Sequence, residues 1–335
     1  MSDFRSRKIN EVDNQLKNFL VTTNVQIVYS KITLNEINQI PLDKYKFEHI
    51  EVLEELNAKY IEPVNKKLIN KKPIQIWNDY INNLNYENDP LKTKELALNI
   101  DKLSRKGAGL PIKDSFEEIG VELEKHIQFL SKTIIDSINS LDINFNENNL
   151  KEEFKGNAKQ IQEIIKQMKK NLPILLNDNI QNSNKLARLD NLPLGTKPFR
   201  EYSPIKKLNI SKLPSSEVVF VIENILNDNT FKDLTNNFYN SKESKISRAY
   251  SLMNWAGYYP DDFEKIKKNQ DRFRASNNDM HHVATASNTD FLISNDYAFR
   301  MKAIASYKYA GIKTIVCSSV NFIEEYNKFK NILNK

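Results

Sequence analysis

Two short apolar runs near the carboxyl end, Phe291 to Ser294 and Ile312 to Cys317, are separated by a stretch with helical spacing that carries Met301, Ile304 and Tyr307 and is closed by Gly311. A strand, a helix and a second strand in this order predict two parallel strands, because parallel neighbours need a crossover connection and cannot be joined by a hairpin. This places the end of the chain in an α/β arrangement.

The first sixty residues repeat the theme. Val12, Leu16, Phe19 and Leu20 follow Ile9 at spacings of three and four and predict an opening helix. Val25 to Tyr29 is a β-branched run, Ser30 stands where a helix cap belongs, and Ile32, Leu34, Ile37 and Ile40 continue with helical spacing up to Pro41. Ile50, Leu53, Leu56 and Tyr60 have helical spacing again.

Between these ends the chain reads as helix after helix. Residues 62 to 150 show no strand signal, and Ile127, Leu130, Ile134, Ile138 and Leu141 give the clearest helical stripe. A further helix carries Ile161, Ile164, Ile165, Met168 and Leu172 on one side and Lys155, Lys159, Lys166 and Lys170 on another. Over 151 to 213 there are 13 Lys and Arg against 6 Asp and Glu, which accounts for the whole net charge of +6. Such a stripe suits the phosphates of a nucleic acid or forms a solvated helix face. Arg105 to Gly109 reads as a basic loop without a phosphate-loop pattern. Pro193, Pro198, Pro204 and Pro214 with Gly195 mark 191 to 214 as a connector, followed by a helix from Val218 to Leu226 and another from Ser247 ended by Gly257.

Several classes are excluded. A chain of 335 residues buries about 75% of its unfolded surface and needs no disulfide staple. A single cysteine, Cys317, cannot form an internal bridge and reads as an apolar strand residue. No apolar run approaches the roughly 20 residues that cross a bilayer. The opening residues, MSDFRSRKIN, lack a secretory signal, so the expectation is a cytoplasmic protein with no membrane partner. Seven glycines are too few for a propeller or a dinucleotide fold.

The chemistry concentrates in the last sixty residues. Asn278 or Asp279 is expected to cap a short helix on which Asp279, His282 and Ala286 share a face. Asn295 and Asp296 follow the first strand at its carboxyl end, where open α/β sheets bind ligands. Carboxylates gathered there repel one another unless a cation lies between them, and hard oxygen donors select magnesium or manganese. The competing structural readings are plain: Asp279 and Asp296 as helix caps, Asp290 as a turn residue, His282 as a packed histidine, His281 as surface, and Trp255, Tyr258 and Tyr259 as core. Zinc is excluded by its ligands, since there is no CxxC or HxxxH pattern.

The run Asp279-Met-His-His282-Val-Ala-Thr-Ala286, then Asp290-Phe-Leu-Ile-Ser-Asn-Asp296, Lys302-Ala303 and Gly311-Ile-Lys-Thr resembles the carboxyl-terminal half of PIN-domain nucleases. Val28-Tyr29-Ser30 with Glu36 on the next helix resembles the second acidic position of that family. The resemblance covers residues 1 to 60 and 245 to 322. It implies an α/β fold, a PIN-like three-layer core with a parallel sheet, split as 1–60 and 245–335 around a mostly helical insertion over 61–244. It implies further that Glu36, Asp279 and Asp296 hold Mg2+ or Mn2+ and that a metal-activated water hydrolyses a phosphodiester, in RNA before DNA. Substrate contacts are then expected from His282, Asn295, Lys159, Lys166 and Lys170. The family's first strand and its Asp find no counterpart here apart from Asp3, which leads to the expectation of upstream residues or a protein partner supplying that strand. The alternative expectation is a catalytically inactive PIN-like scaffold that binds nucleic acid or a protein.

Overall fold

The computed structural model describes residues 11–23, 25–63, 65–84, 93–143, 160, 162–171, 186–192, 194–226, 241–262 and 270–333. The chain is a mostly helical α/β mix with two small sheets. It forms two compact units, Met1–Tyr86 with Thr196–Lys335, and Glu87–Gly195. The second unit spans less of the chain than the expected insertion over 61–244: residues 61–86 and 196–244 group with the first.

In the first unit, α1 (Glu11–Thr22) precedes β1 (Val28–Tyr29). Ser30 then caps α2 (Lys31–Asn38): its hydroxyl accepts from the Ile32 amide at 3.2 Å, and the Thr33 hydroxyl accepts from the Ser30 amide at 3.4 Å. The strand, cap and helix expected from Val25 onward are all present. Helix α3 (Asp43–Glu55) buries Ile50, Val52 and Leu53 and stops at Asn57, whose left-handed φ of 46° turns the chain into β2 (Lys59–Ile61). Tyr60 therefore belongs to a strand and does not extend the helical stripe. It pairs with Tyr29 in parallel register and with Ile69 of β3 (Leu68–Ile69) in antiparallel register. Two residues flanked by lysines and asparagines carry no visible period, so β3 was silent in a region expected to lack strands. Helix α4 (Pro73–Leu84) then covers this sheet with Ile76 and Trp77.

Residues 191–214 were expected to break helices, yet α7 (Thr196–Glu201) and α8 (Ser203–Lys206) form there, because Phe199 and Ile205 are fully buried and fix each turn by packing. Their prolines stand in or near first turns, where a missing amide costs nothing. Helix α9 (Val218–Leu226) follows, then α10 (Lys242–Ala256), which ends at Gly257 with φ 96°. The Glu223 carboxylate of α9 accepts from Nε and Nη2 of Arg248 of α10, both at 2.7 Å.

The carboxyl-terminal part is α11 (Gln270–Ala286), β4 (Phe291–Ile293), α12 (Tyr297–Ala310), β5 (Ile315–Cys317) and α13 (Ser319–Leu333). β4 and β5 are parallel, with Leu292 opposite Val316, and Gly311 closes α12 at φ 67°. The single parallel sheet that was expected is instead two sheets, since among the described residues no strand pairs with both β1 and β4. One apolar cluster serves both: Leu16, Leu20, Val52, Leu56, Cys317 and Phe322 are buried there with Ile27, Phe291 and Ile293 against them.

The second unit holds α5 (Thr93–Gly107), α6 (Phe116–Ile143), helical residues 162–171 and a 3-10 turn, Leu186–Asn191. The Asp190 carboxylate accepts from the Phe116 and Glu117 amides at 3.0 and 3.2 Å and so caps α6 from a distant segment. Arg105 and Lys106, expected in a loop, form the last turn of α5, where Arg105 is buried and paired with Asp101 at 2.6 Å. Gly195 has φ 90°, and a Cβ there would lie 2.6 Å from Gly109 Cα, so only glycine allows this approach. Among the described residues no helix is long and apolar enough to cross a membrane.

Candidate acidic site

The acids singled out in the sequence come from three elements of the first unit. Glu36 lies on α2, Asp279 and His282 on α11, and Asp296 between β4 and α12. The fold brings the first two elements together: Glu36 Oε2 lies 3.0 Å from His282 Nε2, and Glu36 Oε1 accepts from Asn278 Nδ2 at 3.3 Å. Asn278 and His282 are four residues apart on one helix face, so a single turn of α11 holds both carboxylate oxygens.

Asp279 does not begin its helix. The expected cap at Asn278 or Asp279 is overturned, because α11 starts nine residues earlier at Gln270 and buried Phe273 anchors its first turns. Asn278, which suggested a cap, is used in a tertiary contact with Glu36 instead. This matters electrostatically: a carboxylate at a helix amino end is stabilised by the macrodipole, whereas one in mid-helix is not. Burial, reinforced by the negative charge of Asp261, pushes the Asp279 carboxyl up to about 7; Lys302 and His282 oppose the rise and Glu36 adds to it. No hydrogen-bond donor reaches this carboxylate among the described residues.

Asp296 does cap α12, as one of its two readings required: Oδ1 accepts from the Phe299 amide at 2.9 Å. Its neighbour Asn295 turns its carbonyl oxygen to the Ser319 amide and hydroxyl, at 3.1 and 2.8 Å, joining the ends of β4 and β5. The carbonyl oxygen of Asn295 is therefore engaged structurally.

Sequence reading missed the group behind Asp279. Lys302 is 1% exposed, and its ammonium donates to Asp261 Oδ1 at 2.7 Å and Asn254 Oδ1 at 2.8 Å. Asp261 Oδ2 accepts from Asn254 Nδ2 at 3.0 Å and from the Ser276 hydroxyl. The same ammonium lies 4.5 Å from the centroid of the Tyr250 ring, a cation–π contact. Lys302 was visible only as part of a motif; nothing in spacing links it to Asn254 or Asp261, which sit on another helix and the turn after it.

Glu36, Asp279 and Asp296 offer only hard oxygens, which suit magnesium or manganese. Among the described residues no group of three or more His, Cys, Asp or Glu side chains is placed to hold a metal ion. Magnesium is commonly held by one or two carboxylates, waters and substrate phosphates, without an all-protein cage, so the donor set fits such an ion through Asp279 and one further acid.

Of the remaining expected contacts, Lys166 and Lys170 are exposed on the helical residues of the second unit, and Lys159 lies outside the described residues. Beside the acidic group, a groove of about 380 Å³ is lined by Ser30, Lys31, Lys66, Glu243, His281 and Thr285. Its charges are of both signs. Comparison with protein-family models, curated proteins and solved structures found no match for this chain.

Proposed function

We propose that this chain is a metal-dependent PIN-like nuclease that hydrolyses phosphodiester bonds, in RNA before DNA, inside the cytoplasm. The observation that supports the reading is the meeting of Glu36 with the Asn278–His282 turn, which sets Asp279 beside a second acid from the far end of the chain. An uncompensated carboxylate such as Asp279 is relieved by a cation more than by any side chain near it.

In this reading Asp279 with one further acid, Glu36 or Asp296, would hold Mg2+ or Mn2+, which would lower the pKa of a bound water and stabilise charge on the phosphoryl oxygens. His282 fixes the Glu36 carboxylate, as partners of metal-binding carboxylates do. Asp296 keeps Oδ1 on the Phe299 amide, so only its other oxygen would be left for an ion. The exposed Lys166 and Lys170, with Lys159, grip the nucleic-acid backbone without reading sequence.

A second reading, an inactive PIN-like scaffold for nucleic acid or a protein partner, has its own observation: Asp261 is already neutralised by Lys302, and no three-residue metal group stands ready among the described residues. Labelled single-stranded RNA and DNA incubated with manganese, with EDTA and with the Asp296→Asn variant decide between them. Cleavage that needs manganese and is lost in the variant is expected. Binding without cleavage by folded wild-type protein overturns the nuclease and leaves the scaffold.

A further inference from the structure

The groove of about 380 Å³ in the first unit is bounded by the start of α2, the end of β2 with the turn after it, α10 and α11. It continues the seam on which the acids lie. Ile32 in its lining stands one helical turn before Glu36 on α2, and Thr285 stands one turn after His282 on α11, so the groove begins where the Glu36–His282 contact ends. Its volume is at the small end of the range for cavities that hold one organic ligand. Ile32, Ile61 and Ala284 give it an apolar wall. Its charges balance: Lys66 lies 3.6 Å from Glu243, and Lys31 is matched by Glu62. Such a surface gives a run of phosphates no net attraction and suits a neutral, partly apolar group. Two hydroxyls of the lining, Ser247 on α10 and Thr285 on α11, make no hydrogen bond with any described residue, whereas that of Ser30 is spent on its helix cap.

We propose that this groove seats the nucleoside next to the scissile phosphodiester of an RNA strand, with the hydroxyls of Ser247 and Thr285 hydrogen-bonded to its ribose 2′-hydroxyl. The inference rests on the nuclease reading above and adds what that reading lacks, a physical basis for RNA before DNA. A 2′-hydroxyl both donates and accepts, and so does each of the two side-chain hydroxyls, so the three groups satisfy one another; a deoxyribose leaves the pair without that partner. The base lies against the apolar wall. The charged phosphodiester stays outside the groove, one helical turn further along the seam at the acidic group.

Fluorescence anisotropy of a short labelled single-stranded RNA and of the DNA of the same sequence, each titrated in EDTA with the full chain, tests this. The proteins are wild type and a double variant, Ser247→Ala with Thr285→Val, which removes both hydroxyls at almost no change in volume; melting confirms that both are folded. Losing the hydrogen bonds to one hydroxyl weakens binding by about three- to tenfold. Wild type is expected to prefer RNA by about that factor, and the double variant to bind both strands alike, at the wild-type affinity for DNA. The proposal is overturned by a wild type without preference, by a double variant that keeps it, by equal weakening for RNA and DNA, or by binding of neither strand. Incubating the same proteins and RNA with manganese separates this from the nuclease reading. Cleavage by a wild type that shows no preference removes the groove and leaves the nuclease. A preference that the double variant loses, in a protein that cuts nothing, removes the nuclease and supports the ribose contact.

Discussion

His282 Nε2 and Glu36 Oε2 lie 3.0 Å apart across 246 positions of sequence, so the contact exists only once α2 and α11 have docked. Both side chains are partly exposed, and solvent screening limits what the pair contributes. A double-mutant cycle of Glu36→Ala and His282→Ala, read by urea unfolding, is expected to give a coupling of about 0.5 kcal/mol. Strictly additive effects would show that the two helices are held by apolar packing alone.

The raised Asp279 carboxyl makes the stability of the metal-free protein pH-dependent. In the unfolded chain the group titrates near 3.8; in the folded chain it holds its proton up to about 7. The folded state thus binds more protons between these values, and this contribution is full below about 4 and lost as pH rises through about 7. In EDTA, wild type should lose stability from pH 4 to pH 7 relative to Asp279→Asn. Parallel curves for the two proteins would refute the assignment.

Arg248 and Glu223 are each about 12% exposed and meet through two parallel bonds of 2.7 Å. Removing one member leaves the other buried and charged. Arg248→Met should cost about 3 kcal/mol in equilibrium unfolding. A cost below about 1 kcal/mol would mean that water reaches Glu223.

Gly257 ends α10 at φ 96°, and a Cβ there meets Arg200 Nε at an ordinary 3.5 Å. Space is available, so the penalty is conformational. Gly257→Ala should destabilise by about 1 kcal/mol, and Gly257→Asn by less, since asparagine tolerates the left-handed region. Equal costs for both would point to crowding instead.

If Lys166 and Lys170 contact phosphates, charge reversal at both weakens binding of single-stranded RNA in low salt and flattens its salt dependence, by about 0.7 in the log–log slope for each lysine. An unchanged slope would make them a solvated face.

Local signals in the chain were enough for its punctuation. Ser30 and Gly311 announce their helices because a capping hydroxyl and a residue at φ 67° satisfy nearby backbone groups whatever surrounds them. The parallel pair β4 and β5 was legible for a similar reason: two apolar runs spaced by one helix admit few connections. The start of α11 was not legible. Asn278 and Asp279 favour a cap locally, and the burial of Phe273 with the bonds from Ser276 to Asp261 and Asn278 to Glu36 overrode that preference. Lys302 illustrates the larger division. Sequence placed it on a helix, but only the tertiary structure buried it at 1% exposure between Asn254, Asp261 and Tyr250. Periodicity and caps depend on neighbours a few residues away, whereas the charge environment of a carboxylate depends on groups brought close by packing, and those distances are not written in the order of the chain.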